Sequence, residues 1–337
     1  MAELISPQES PQRTQDAAID WDHRLDSRSR AVLEMIPAAL RDMTDIPAAR
    51  RAMEELTAAT LAVNPDIPGV DTEDHWVRGA PGDPDVMVRV YTPSGVGAPA
   101  PGYYWIHGGA MVVGSVAMDD LRCKELAADM GCVVASVEYR LAPEHPYPAP
   151  VEDCYAGLKW FFSQAEHLGV DPSRIVISGT SAGGGLAAAV TLLARDRGEM
   201  EIAFQQLIYP MLDDRNITPS SHSVQHPKMW NRQSNIAAWS AFLGKPAGSE
   251  DVSPYASPAR HDDLSGLPPA FIIVGELDLF VDEDIEYAQR LTRASVPTEL
   301  HVFPGAFHLS DRYLPTSPTS RRWAAVTRAA LREALHG

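Results

Sequence analysis

The chain has 337 residues, 45% hydrophobic and 22% charged, the balance of a soluble globular protein with one major core and an accessory layer. Its 45 acidic and 28 basic residues give a formal charge of −17, which excludes nucleic acid and anionic membranes as natural partners. Cys123, Cys132 and Cys154 form no C-x-x-C unit and cannot all pair, which excludes a zinc site or a disulfide scaffold.

Residues 1–12 are polar, with Glu3, Glu9, Pro7 and Pro11, and are expected to be loose. They carry neither a basic leader nor an apolar core, and no later stretch approaches a membrane span, so a cytoplasmic protein without stable membrane insertion is expected. From about 14 to 62 the spacing of Leu33, Ile36 and Leu40, and of Met53, Leu56 and Thr57, predicts two or three short helices packed on another part of the molecule. Pro37 and Pro47 start or interrupt them.

From Thr72 the pattern changes to strands. His75–Arg78 and Val86–Tyr91 flank the turn at 79–84, and Tyr103–Ile106 ends at His107-Gly108-Gly109. Alternation follows: a helix over 119–130, strand 132–137, helix 151–167, strand 174–178, helix 182–196 and strand 203–209. Strands 271–274 and 298–303 close the series, with helices near 281–293 and 321–336. Buried-type strands alternating with helices predict an α/β fold with a mostly parallel sheet flanked by helices. Residues 211–268 break the rhythm. Their turn residues, with Trp230, Trp239 and Phe242, predict a short helical lid over a pocket.

The chemistry centres on Gly179-Thr180-Ser181-Ala182-Gly183, where an apolar strand runs into an alanine-rich helix. This strand, sharp turn and helix match a G-x-S-x-G nucleophile elbow, in which small residues permit a tight crossing. A serine hydroxyl needs an imidazole to take its proton, and the imidazole needs a carboxylate to fix its tautomer. Asp278 and His308 follow the last two strands and complete the order Ser181, Asp278, His308. Asp278 is preferred to Glu276, Asp282 and Glu283, and His308 to the strand-bound His301. The amides of Gly108 and Gly109, with that of Ala182, are the candidate oxyanion donors, and His107 reads as an anchor for their loop. Tyr209 and Trp230 are candidate pocket walls. No Walker lysine motif and no G-x-G-x-x-G at the first strand supports nucleotide binding.

These motifs, together with Glu138-Tyr139-Arg140-Leu141-Ala142-Pro143-Glu144-His145-Pro146-Tyr147-Pro148-Ala149, resemble the bacterial hormone-sensitive-lipase-like esterases, in the GTSAG branch of the α/β-hydrolases. The resemblance implies a core over 71–210 and 269–337, with a helical cap from residues 1–70 and the insertion 211–268. It implies serine carboxylesterase activity on short to medium acyl esters without metal or cofactor, and a homodimer through the strand at 298–303. Ala110 departs from the usual third glycine of HGGG and is a further candidate wall residue, and Leu279 replaces the usual proline. Hydrolysis of amides, carbamates or lactones and a non-catalytic receptor are the alternative readings.

Overall fold

A computed structural model describes residues 24–63, 66–224, 226 and 228–337. The expectation for residues 1–12 lies outside the described residues. Among the described residues, helices α1 (Ser27–Met35) and α2 (Ile46–Val63) precede the sheet, joined through a 3-10 turn at Ala38–Leu40. Asp26 caps α1 by accepting from the Ser29 amide at 2.7 Å, so a free helix-end donor is satisfied. Leu33, Ile36 and Leu40 are buried as their spacing predicts. Arg50 of α2 clamps this region to the body: it donates to the Val112 and Ala142 carbonyls at 2.8 and 2.9 Å and takes both oxygens of Glu144. That hydrogen-bonded guanidinium draws the Glu144 carboxyl down to about 2.

The sheet strands are β1 (Val70–Val77), β2 (Val86–Pro93), β3 (Ala100–Ile106), β4 (Val133–Glu138), β5 (Val170–Thr180), β6 (Phe204–Ile208), β7 (Ala270–Gly275) and β8 (Thr298–Phe303). They lie side by side in the order β1-β2-β4-β3-β5-β6-β7-β8. Only the β1–β2 and β2–β4 pairings are antiparallel; from β4 to β8 every neighbour is parallel. Helices α3 (Asp120–Met130), α4 (Ala149–Ser163), α5 (Ala182–Arg197) and α8 (Val281–Arg293) make crossovers, α6 (Pro219–Ser223) and α7 (Arg232–Leu243) sit in the β6–β7 connection, and α10 (Pro318–His336) follows β8. The last short helix, α9 (Ser310–Tyr313), follows β8 and was not anticipated from the sequence.

Both faces of the sheet are covered, and strand alternation shows why. Tyr104 and Ile106 of β3 face the cluster that holds Leu158 and Phe161 of α4, Leu186 of α5 and Leu291 of α8. Tyr103 and Trp105 face the opposite cluster, with Ala127 of α3 and Trp323 and Leu331 of α10. All seven residues of β3 are buried, which explains why its sequence is a continuous apolar and aromatic run. The strand order reverses around β3, which lies between β4 and β5. Such a switch point opens a crevice at the carboxyl ends of β3 and β5, where Ile106 pairs with Gly179 and the next residues turn away from the sheet.

Candidate active site

Ser181 stands at the end of β5 and immediately before α5, with φ 57° and ψ −121°. This backbone is costly for a residue with a side chain, and the surroundings hold it there. The Ser181 amide donates to the Ile208 carbonyl at 2.9 Å, and its carbonyl accepts from the Gly185 and Met211 amides at 3.0 Å. Gly179 and Gly183 permit the bend. A Cβ on Gly179 would lie 2.3 Å from the Gly183 carbonyl carbon and oxygen, and one on Gly183 only 2.1 Å from the Ile106 carbonyl oxygen.

The two loops after β7 and β8 bring the other expected residues to this bend. His308 Nε2 lies 3.0 Å from Ser181 Oγ, and its Nδ1 lies 2.7 Å from Asp278 Oδ2. The Asp278 carboxylate also accepts from the Phe280 amide at 3.1 Å. Asp278 is fully buried, and Ser181 and His308 are nearly so. Rings fix the imidazole: Phe280 and Tyr209 meet it edge-on at 5.2 and 4.9 Å, and Trp230 lies tilted at 6.1 Å. An ionised carboxylate on Nδ1 leaves Nε2 free to accept the serine proton.

The rejected alternatives are engaged elsewhere. Glu276 pairs with Arg24 and accepts from the Gly305 amide at 3.1 Å. Asp282 accepts from the Ser220 amide at 2.6 Å, and Glu283 from those of Leu212 and Asp213 at 2.7 and 3.2 Å. His301 pairs with Glu299 on β8. His107 is buried against Tyr139, with ring centroids 4.2 Å apart, and its Nδ1 bonds the Gly108 carbonyl at 2.7 Å. It therefore props the loop and stays away from the imidazole's task.

Glu283 and Asp284 lie behind the Asp278 loop, fully buried. Desolvation lifts both carboxyls well above the usual range, helped by Asp213 for Glu283 and by Glu283 for Asp284. Neither Asp284 oxygen has a hydrogen-bond partner. A raised folded-state pKa means the native chain keeps a proton that the unfolded chain loses, so this group's stabilising contribution declines as pH rises above the ordinary carboxylate value. Asp284→Asn cannot ionise. Its Tm relative to the parent should therefore climb by about 2 °C or more between about pH 4 and pH 8 in a thermal denaturation series. A flat or falling difference contradicts this account.

A cavity of about 340 Å³ opens onto the Ser181–His308 pair, lined in part by Gly108, Gly109, Ala110 and Trp230. Gly109 (φ 121°) and Ala110 (φ 57°) both take the left-handed backbone, so Ala110 accepts strain at a position glycine would occupy freely. Ala182 is the first residue of α5, where amides have no intrahelical acceptor. Tyr209, expected in the wall, lies instead behind the imidazole, and its hydroxyl donates to Asp311 at 3.1 Å. The side chains of Met53, Leu56 and Thr57, read from their spacing as a packing face, help line the cavity. The sequence did not mark out Arg41 or Arg312, which also line it; nothing in their neighbourhood separates them from the other bases. Arg312 pairs with buried Asp119 at 2.8 Å and donates to Thr180 Oγ1 at 3.3 Å. Burial raises the Asp119 carboxyl, but Arg312, Arg122 and the Trp105 indole outweigh it and hold the group below its ordinary value. A larger cleft of about 940 Å³ beside the end of α5 contains none of Ser181, Asp278 or His308. Among the described residues, no His, Cys, Asp and Glu cluster is arranged to hold a metal ion.

The family description for the alpha/beta hydrolase fold matches residues 103–311. Carboxylesterase NlhH of Mycobacterium tuberculosis is 36% identical over 273 residues, covering 80% of this chain and 85% of that protein. Esterase LipI of the same organism is 36% identical over 244 residues, 71% of this chain and 75% of the relative. Among solved structures, a bacterial heroin esterase superposes with a TM-score of 0.89 at 44% identity, covering 94% of this chain and 99% of that one. The strand order, the Ser181 turn and these likenesses agree, and the chain belongs to the alpha/beta-hydrolase-fold family.

Proposed function

We propose that this protein is a serine carboxylesterase of the hormone-sensitive-lipase-like GTSAG branch, acting on short to medium acyl esters. The observation that carries the reading is the hydrogen-bonded relay Ser181–His308–Asp278 at 3.0 and 2.7 Å, facing a mostly apolar cavity. Its carboxylesterase relatives support the reaction type.

In this mechanism Ser181 Oγ attacks the ester carbonyl while His308 Nε2 takes its proton. The carbonyl oxygen becomes negative, and the amides of Gly108, Gly109 and Ala182 receive it. Cleavage of the C–O bond expels the alcohol, which leaves with the proton from Nε2. Water then attacks the acyl-serine, giving a proton to Nε2; the acid departs and Ser181 Oγ regains the proton. No metal or cofactor enters this sequence. Asp278 stabilises the imidazolium in both halves.

The helices before β1 and those within 211–268 form the cap in this reading. Their contribution of Met53, Leu56 and Trp230 to the cavity supports it. The edge position of β8 supports a homodimer through 298–303, and the buried free thiols of Cys123, Cys132 and Cys154 support a cytoplasmic setting. No described helix is long and apolar enough to cross a membrane.

The test is labelling with an alkyl fluorophosphonate followed by peptide mass spectrometry, alongside turnover of ester and amide panels. Labelling at Ser181 with ester turnover is the expected result. Absence of both favours a non-catalytic receptor, and faster amide than ester turnover reassigns the substrate.

A further inference from the structure

The cavity over Ser181 has an unusual charge balance for so acidic a protein. Among the described residues no carboxylate lines the cavity, whereas two guanidiniums do. Arg312 is neutralised by Asp119. Arg41 is different. It is only 4% exposed, and among the described residues it has no ion-pair partner and its buried Nε and Nη2 atoms have no hydrogen-bond partner. Its guanidinium carbon lies over the face of Tyr313, 5.1 Å from the ring centroid. The main chain at this point is fixed, because the Ser234 hydroxyl of α7 donates to the Arg41 carbonyl.

Buried charges are ordinarily paired, since a desolvated cation without acceptors is costly. A stacked ring offsets part of that cost but accepts none of the guanidinium's directed hydrogen bonds. The shape that satisfies such a fork is a carboxylate, which takes two parallel N–H bonds. A neutral carbonyl would satisfy one donor and leave the charge uncompensated.

We propose that Arg41 is a specificity-determining residue that binds a carboxylate on the substrate, making esters with a second, ionised acid group a preferred substrate class. This rests on the carboxylesterase reading of the same cavity. The overall charge of −17 opposes approach of an anion from a distance, but that field is screened beyond about 8 Å at physiological ionic strength. Among the described lining residues, Arg41 is the arginine without a counter-ion, and its charge governs the bound state. The neutral remainder of the substrate would lie against Met53, Leu56 and Trp230.

The experiment compares kcat/KM for matched charged and neutral esters on the 337-residue chain. One pair places the carboxylate on the acyl side (monoethyl glutarate against ethyl pentanoate). The other places it on the alcohol side (the acetate of 4-hydroxybutanoate against butyl acetate). The readout is the charged-to-neutral ratio, so general damage to turnover cancels. Arg41→Met should lower that ratio by about 10- to 100-fold in at least one pair, and Arg41→Lys should restore a large part of it. A ratio that stays within about 2-fold of the parent in both pairs overturns the proposal. A second measurement needs no variant. Free glutarate should inhibit parental hydrolysis of 4-nitrophenyl acetate competitively, at least about 10-fold more tightly than glutaramide. Equal inhibition by the two overturns the proposal even where Arg41→Met fails to fold. Failure of the parent on every neutral ester, without Ser181 labelling, would instead reject the carboxylesterase reading itself.

Discussion

Ser181→Ala should lower kcat for ester hydrolysis by about 10⁵- to 10⁶-fold while leaving the fold intact. The hydroxyl's recorded hydrogen bond is the one with His308 Nε2, so its loss removes the attacking atom and disturbs little else. The backbone stays in its constrained conformation, because the Ile208, Gly185 and Met211 main-chain bonds that hold it do not involve the side chain. Tm is accordingly expected to stay within about 3 °C of the parent. The residual rate above the uncatalysed reaction would report the backbone amides alone, which in a related serine hydrolase mechanism are worth about 10³- to 10⁴-fold. Single-turnover assays with 4-nitrophenyl acetate, run beside thermal denaturation, measure both quantities. Retention of more than about a tenth of parental kcat would remove Ser181 from the mechanism.

Gly183→Ala should damage both the fold and turnover. The added methyl would sit 2.1 Å from the Ile106 carbonyl oxygen and 2.4 Å from that of His107. Both are main-chain atoms at the end of β3, so no rotamer change relieves the clash. Either α5 moves off the sheet or the end of β3 shifts, and the second movement carries the Gly108–Gly109 turn with it. A destabilisation of about 3 kcal/mol is expected from overpacking of this kind. Any folded fraction should lose about 100-fold in kcat, because the proposed oxyanion donors would no longer meet the position set by Ser181. Urea denaturation and active-site titration separate the two effects. Parental values in both would show that the crossing tolerates a side chain and that the steric explanation is wrong.

The steric demand at this crossing is also why the centre of the fold was legible in the sequence. A strand, a small-residue bend around Ser181 and an alanine-rich helix leave few other arrangements, and the later strands place Asp278 and His308 at the same sheet edge. What composition and spacing could not convey was which side of an element faces empty space. Met53, Leu56 and Thr57 have helical spacing that serves equally for packing or for lining a cavity; all three line the cavity, and Met53 also packs on the core. Tyr209 follows β6 as a wall residue would, yet its backbone takes φ 36° and its ring packs edge-on against the imidazole. Arg41 had no signature at all. Its setting arises from the placement of Tyr313, over 270 positions away along the chain, and from a wall that holds no acid among the described residues. The four residues of α9 are too few to show a periodicity.

The manner in which α2 is attached has an implication for how such a chain diversifies. Only Ala49 of its 18 residues is buried, Leu56 and Leu61 are more than two-fifths exposed, and Arg50 supplies much of the anchorage. Amino-acid exchanges on its inner side therefore carry little folding penalty, whereas the bond-breaking apparatus hangs from strand ends that tolerate almost none. Natural drift can retune which molecules are admitted while the reaction itself is inherited unchanged.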